Sequence, residues 1–228
     1  MFGFVRYNEA RNYNEGVGVC MLKVKHIVTG PVEENTYVVH DGKSLLVIDP
    51  GSEPERIIEM IEGTGAKPVA ILLTHTHYDH IGALDAIRDH YEIPVYVSPL
   101  EEEWLGNPEH NGSIMLRDYG FALIKARPAE FELEMRDYDF SGIKFKVVPT
   151  PGHSIGSVSF IFGDFAVVGD ALFKGSIGRT DLYTGDTEML LSSIQTELFT
   201  LPDETIIYPG HRESSTIGFE KVTNPYFN

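Results

Sequence analysis

The heptapeptide Thr74-His75-Thr76-His77-Tyr78-Asp79-His80 places three imidazoles and one carboxylate within the six residues from His75 to His80. Imidazole nitrogens and carboxylate oxygens are the donors that hold Zn²⁺, Fe²⁺ or Mn²⁺ where no thiolate is on offer. In an extended segment His75 and His77 point to the same side, and a turn at Tyr78 sends Asp79 and His80 toward a neighbouring point. Two adjacent metal positions follow naturally. Taken alone, a histidine-rich heptapeptide also fits an incidental surface tract. That reading weakens because Pro151-Gly152-His153, Gly169-Asp170 and Pro209-Gly210-His211 repeat the arrangement, each candidate ligand following an apolar, β-like run. Reactive side chains commonly sit on loops held by such scaffolding. His26, His40, His90 and His110 lack this context and read as structural or surface histidines.

Periodicity indicates the elements that must carry these loops. Apolar or β-branched runs at residues 22–28, 37–39 and 45–48 predict opening antiparallel strands, with Asp41-Gly42 as a tight turn. Ser52-Glu53-Pro54-Glu55 has the form of a capping box with proline in the first turn, and Ile57, Ile58 and Ile61 follow at helical spacing. Residues 68–73 predict a buried strand that delivers the chain into Thr74-His75. Ile81, Leu84 and Ile87 then recur at helical spacing, and residues 94–97 return to β character. The cluster thus begins at a strand end and runs into a helix start. Residues 99–130 are irregular and serve either as a wall or lid over a pocket or as a surface connection. Within them Trp104 and Met115 read as core packing more readily than as pocket wall. Runs at 131–135, 143–148, 158–162 and 165–168 restore the β pattern, Asp186 caps a helix bearing Leu190, Leu191, Ile194 and Leu198, and 205–208 is a last short strand. This order suits an α/β (α+β) chain of two sheets covered by helices better than a parallel doubly wound sheet.

A chain of 228 residues that is 42% apolar and 11% aromatic supports one globular domain, read here as residues 21–228. Residues 1–20 read as an N-terminal extension, or alternatively as a first strand and loop anchored by Phe2, Phe4 and Val5. Acidic residues outnumber basic ones 34 to 18, for a net charge of −16, which disfavours nucleic acid and anionic membranes as partners. A small anionic substrate remains compatible, because bound cations dominate the potential inside a metal site. Cys20 is the only cysteine, so no intrachain disulfide and no cysteine metal cluster can form. With neither an export core nor a membrane-length apolar run expected, the reading is a cytoplasmic protein. The oligomeric state is not set by these features.

The ordered motifs resemble the metallo-β-lactamase superfamily, and within it glyoxalase II and the small glyoxalase II-like hydrolases. The resemblance spans about residues 22–227, from Glu34-Asn35-Thr36-Tyr37 and Val47-Ile48-Asp49-Pro50-Gly51 through THTHYDH (74–80), TPGHSIGS (150–157), GDALFKGSIGRTDL (169–182) and YPGH (208–211). It implies an αββα sandwich, a first metal held by His75, His77 and His153, a second by Asp79, His80 and His211, and Asp170 bridging both. It implies two divalent metal ions, zinc first, with iron or manganese as alternatives. A water shared by two such cations loses its proton near neutral pH and supplies a bridging hydroxide nucleophile, with Asp79 both ligand and water orienter. Asp49 and Gly51 match an early turn that supports the ligand loops, though a purely structural turn is the simpler account.

The implied activity is hydrolysis of a small acyl-thiol thioester, as in hydroxyacylglutathione hydrolysis. In glyoxalase II the region matching 174–181 supplies a lysine and a tyrosine to glutathione. Here Arg179 is the candidate substrate cation, Lys174 a weaker one and Tyr78 a candidate pocket residue. Asp181 stands where the tyrosine is expected and no basic C-terminal helical extension follows, so the thiol carrier is left open. Arg179 has the alternative of pairing with Asp181. Two other readings compete: a mononuclear iron persulfide dioxygenase using His75, His153 and Asp170, whose relatives carry a GRTD-like stretch, and a noncatalytic, metal-stabilised binding protein.

Overall fold

The computed structural model describes residues 21–120 and 122–228, so the expected 1–20 extension lies outside the described residues. Two six-stranded sheets form the centre. The first runs in chain order through β1 (Lys23–Thr29), β2 (Glu34–His40), β3 (Ser44–Ile48), β4 (Lys67–Leu72), β5 (Val95–Val97) and β6 (Phe131–Glu132). As expected from the sequence, β1, β2 and β3 pair antiparallel; β4 to β6 then add on in parallel. The Asp41-Gly42 turn closes as expected, with Asp41 Oδ1 accepting the Lys43 and Ser44 backbone N–H groups. The second sheet comprises β7 (Asp137–Phe140), β8 (Ile143–Pro149), β9 (Val158–Ile161), β10 (Phe165–Gly169), β13 (Ile206–Pro209) and β14 (Ser215–Thr216). Between β10 and β13 the chain makes a small hairpin of β11 (Leu172–Phe173) and β12 (Ser176–Ile177).

Side-chain alternation along the strands builds three apolar layers, because residues i and i+2 share a face. Tyr37, Val39, Leu46, Ile48 and Leu72 meet Phe145, Val147, Phe160 and Val167 between the sheets. The intervening Val38, Leu45, Val47 and Ile71 face α1 (Pro54–Glu62) and α3 (Leu84–Tyr91), packing on Ile57, Ile61 and Ile87. On the far side Ala166, Val168 and Ile207 meet Leu190, Ile194, Leu198 and Ile217 of the C-terminal helices. Helices therefore cover both outer faces of a sheet pair, which is the αββα arrangement.

Two local expectations are corrected. The capping box at Ser52 does not form: Glu53 occupies the N-cap in a left-handed conformation (φ 57°) with no side-chain cap bond. Its carboxylate turns sideways to accept from Gly30 N–H and Arg56, while the Ser52 N–H is taken by Thr29 Oγ1. The strand expected over 131–135 is cut to Phe131–Glu132, since it pairs only with the end of β5. Asp186 does cap α4 (Thr187–Ser193), accepting from Met189 N–H at 2.9 Å, and the helix continues as a wider turn over Ile194–Leu198.

Candidate metal centre

The candidate ligands all lie on segments that leave strand ends, Asp79 and His80 in the short helix that follows β4. Strand β4 ends at Leu72, and Leu73 to His77 connect it to α2 (Tyr78–Ile81), with His77 extended at the N-cap (φ −63°, ψ 149°). This is the extended-then-turn geometry that separates His75 and His77 from Asp79 and His80. His153 lies between β8 and β9, Asp170 directly after β10, and His211 just after β13. Residues far apart in the chain thus meet along one edge of the sandwich.

Two donor groups abut there. His75, His77 and His153 offer ligand atoms within 4.8 Å of one another, as do Asp79, His80 and His211. Asp170 stands between them: its Oδ2 is 3.5 Å from Nε2 of both His153 and His211, and its Oδ1 is 3.5 Å from His80 Nε2. His75 Nε2, His80 Nε2 and Asp170 Oδ1 are buried with no hydrogen-bond partner. Buried polar atoms are normally satisfied, so three orphaned donor atoms converging on one spot fit a site built for cations.

The outward ring nitrogens are held by named acceptors. His80 Nδ1 faces Asp49 Oδ2 at 3.0 Å, His153 Nδ1 the Arg179 carbonyl at 2.7 Å, and His211 Nδ1 the Val32 carbonyl at 3.1 Å. Each acceptor takes the Nδ1 proton and turns Nε2 toward the cluster, the nitrogen that would ligate a cation there. His77 is turned the other way, its Nδ1 lying 2.8 Å from His153 Nε2.

Burial, followed by repulsion from His80, pushes the His75 imidazole well below its usual pKa. Burial and then His153 lower His77 to about 3. Burial opposes protonation of His80 as well, yet the Asp170, Asp79 and Asp49 carboxylates override it and hold its pKa well above the usual value. His211 is likewise raised against the effect of burial, chiefly through its hydrogen bond to Asp79. Burial works against ionisation of Asp79, but His80 and His211 keep its pKa below the ordinary carboxylate range.

Asp49 and Gly51 do more than make a turn. Asp49, itself at φ 50°, accepts from Thr74 N–H at 2.7 Å and Thr74 Oγ1 at 2.5 Å besides facing His80. A Cβ at Gly51 would lie 2.2 Å from the Asp79 carbonyl and 2.2 Å from Glu34 Oε2, so only glycine lets the ligand loop pass this close. Glycine is required at 210 for the same reason, a Cβ there falling 2.2 Å from Asp170 Oδ1. The Glu34-Asn35-Thr36-Tyr37 motif clamps the last ligand loop: Asn35 Nδ2 and Tyr37 Oη both donate to the Pro209 carbonyl, at 2.9 and 2.7 Å.

Glu101 is the residue the sequence did not reveal. It is fully buried, and its carboxylate joins the two loops of the first donor group. Oε2 accepts from Thr76 N–H at 2.8 Å, and Oε1 accepts from Ser154 Oγ at 2.5 Å and Gly156 N–H at 2.8 Å. Within the run Glu101-Glu102-Glu103 nothing local distinguishes it from its solvated neighbours.

The donors lie at the floor of a cavity of about 720 Å³ lined by His77, Tyr78, Asp79, His153, Asp170 and His211. Tyr78 lines it, as one of the two readings had it, and so does Arg179. Arg179 is also bound to Asp181 through two hydrogen bonds of 2.7 and 2.8 Å, the alternative foreseen for it. Lys174 lies outside the lining and pairs with Glu213 at 2.8 Å. Met115 corrects its expected core role, being 47% exposed on the cavity wall, whereas Trp104 is buried as expected. Residues 111, 112 and 115 thereby make the irregular segment a wall. His26 also lines the cavity, against Tyr37, and not simply as a surface histidine.

The comparisons with known proteins agree with this geometry. A protein of Streptococcus pyogenes described as a "probable metallo-hydrolase" is 45% identical over 91% of each chain. The hydroxyacylglutathione hydrolase GloC of Haemophilus influenzae is 36% identical over 88% of this chain and 95% of its own. Among solved structures, the BLEG-1 B3 metallo-β-lactamase superposes with a TM-score of 0.85 at 42% identity, covering 90% of this chain and all of that one. The protein TTHA1623, crystallised in a di-iron-bound form, gives 0.78 at 38% identity over 88% and 98% of the two chains. The family model for the metallo-β-lactamase superfamily matches residues 29–211, a span that contains every candidate ligand, and the chain belongs to that superfamily.

Proposed function

We propose that the chain is a metal-dependent hydrolase of small acyl-thiol thioesters that works with two divalent cations, zinc first. The observation that carries this reading is Asp170 Oδ2, equidistant at 3.5 Å from His153 and His211, which joins two complete donor groups. In this reading His75, His77 and His153 hold one cation, Asp79, His80 and His211 the other, and Asp170 both. When bound, such a pair acidifies a shared water and polarises a carbonyl. Asp79 lies below its ordinary pKa and is ionised at neutral pH, so it can accept a hydrogen bond and orient a water at the cavity floor. Tyr78, Met115 and the other wall residues exclude solvent around the acyl group. A thiolate is a good enough leaving group to depart without protonation by a protein acid. The similarity to GloC supports an acyl-glutathione-like substrate, while Asp181 in place of tyrosine leaves the carrier to be found by assay.

The test is a matched screen of zinc-, iron- and manganese-loaded protein against acyl thioesters of several thiols and against glutathione persulfide. The expected result is thiol release without oxygen uptake. Oxygen uptake coupled to persulfide loss, with no thioester cleaved on any metal, would replace this reading with the iron dioxygenase. Silence of the loaded protein in both assays would favour the noncatalytic reading.

A further inference from the structure

Among the described residues, the cavity is lined by two Lys or Arg side chains, Arg179 and Arg212. They differ in what already occupies them. The Arg179 guanidinium is bound in fork fashion to Asp181, and nearby Lys174 is bound to Glu213. The exposed Arg212 guanidinium instead lies over the Phe173 ring, 6.0 Å from its centroid. The same ring meets His211 edge-on at 6.2 Å, so Phe173 links the cation to a member of the second donor group. A cation at this distance is attracted by the ring face while its N–H fork stays open to an anion.

The backbone at Arg212 carries a second observation. Its φ is +68°, in the region that favours glycine, and its carbonyl is pinned there by Asn35 Nδ2 at 2.8 Å. A side chain kept at a strained position on a cavity wall points to a role for that side chain. Among the described residues no ion pair within 4.0 Å holds Arg212; of the two glutamates that share its cavity lining, Glu33 and Glu213, the adjacent Glu213 is engaged by Lys174. Val28, Val32 and Met115 give the same cavity an exposed apolar lining. An apolar surface with one oriented cation suits a molecule that has an apolar body and a carboxylate.

We propose that Arg212, seated on Phe173, is the specificity residue that receives a carboxylate of the substrate, with Arg179 held back by Asp181. This rests on the hydrolase reading for the word substrate, but the binding test does not depend on turnover. The probe is S-benzylglutathione, a thioether that cannot be hydrolysed at sulfur, compared with its dimethyl ester by calorimetry on metal-loaded protein. Wild type is expected to prefer the acid over the ester by about tenfold, the size of one charge-assisted hydrogen bond in a partly wet site. Arg212→Ala and Arg212→Gly are expected to lose that preference, Arg212→Lys to keep part of it, and Arg179→Ala to keep it.

Arg212→Gly also separates binding from structure, because glycine relieves the positive φ and its melting temperature is expected to equal or exceed that of wild type. A preference that persists in Arg212→Gly, or one that disappears in Arg179→Ala instead, overturns the proposal. So does equal binding of acid and ester by wild type. Thiol release from acyl thioesters, measured on the same samples, reports the hydrolase reading separately. If no thioester is cleaved yet the acid preference follows Arg212, the subsite stands and the hydrolysis falls.

Discussion

Asp49 Oδ2 lies 3.0 Å from His80 Nδ1, and that contact decides which ring nitrogen of His80 faces Asp79 and Asp170. Loss of a carboxylate behind a ligating histidine typically weakens metal affinity by roughly 10- to 100-fold. Asp49→Ala is therefore expected to weaken the second metal by about that factor. Asp49→Asn, with an amide in place of one oxygen, should fall between the variant and wild type. Metal titration followed by elemental analysis measures this, and unchanged affinity of both ions in Asp49→Ala would dismiss the role.

Asp170 and His211 should differ in how many ions their loss affects. Asp170→Ala is expected to reduce occupancy of both positions, whereas His211→Ala should empty chiefly the second, because the Asp170 carboxylate lies against members of both groups. Metal stoichiometry after dialysis is the readout, with circular dichroism to confirm folding. Two ions retained by Asp170→Ala would remove it as the bridge.

Glu101→Gln tests the strap between the Thr76 and Ser154 loops. Glutamine preserves shape but offers one acceptor oxygen to donors that now meet two, leaving a buried N–H or hydroxyl unsatisfied. The expected loss is about 1–3 kcal/mol of stability. First-site metal affinity is expected to drop more than second-site affinity. Denaturant unfolding of the metal-free protein, alongside stepwise metal titration, separates these effects; equal weakening of both sites would argue for a general packing defect.

Acidification should strip the second position before the first. His75 is held well below its usual pKa and His77 at about 3, so both stay neutral and able to ligate as pH falls. His80 and His211 are raised, so a proton competes with metal there from a higher pH downward. Equilibrium dialysis at stepped pH is expected to show one ion leaving ahead of the other, and His211→Ala should abolish the earlier step. Simultaneous release in wild type would contradict the assignment of protons.

The sequence by itself determined which residues are the candidate metal donors and the class of fold that presents them. Short-range pattern suffices there: the apolar runs of β2 and β3, helical spacing at Ile57 and Ile61, and histidines clustered at strand ends are written in neighbouring residues. Tertiary structure decided the rest, because it depends on which distant segments meet. Glu101 is a buried strap only because two loops separated by about eighty residues converge on it, and the sequence shows it as one of three glutamates. The helix start at Glu53 lost its expected cap because Thr29 Oγ1 takes the Ser52 N–H and the Gly30 N–H engages the Glu53 carboxylate. Met115 faces the cavity where hydrophobicity alone assigned it to the core, since side-chain chemistry does not say which apolar surface will be left without a neighbour. The different settings of Arg179, paired with Asp181, and Arg212, over the Phe173 ring, likewise exist only in three dimensions.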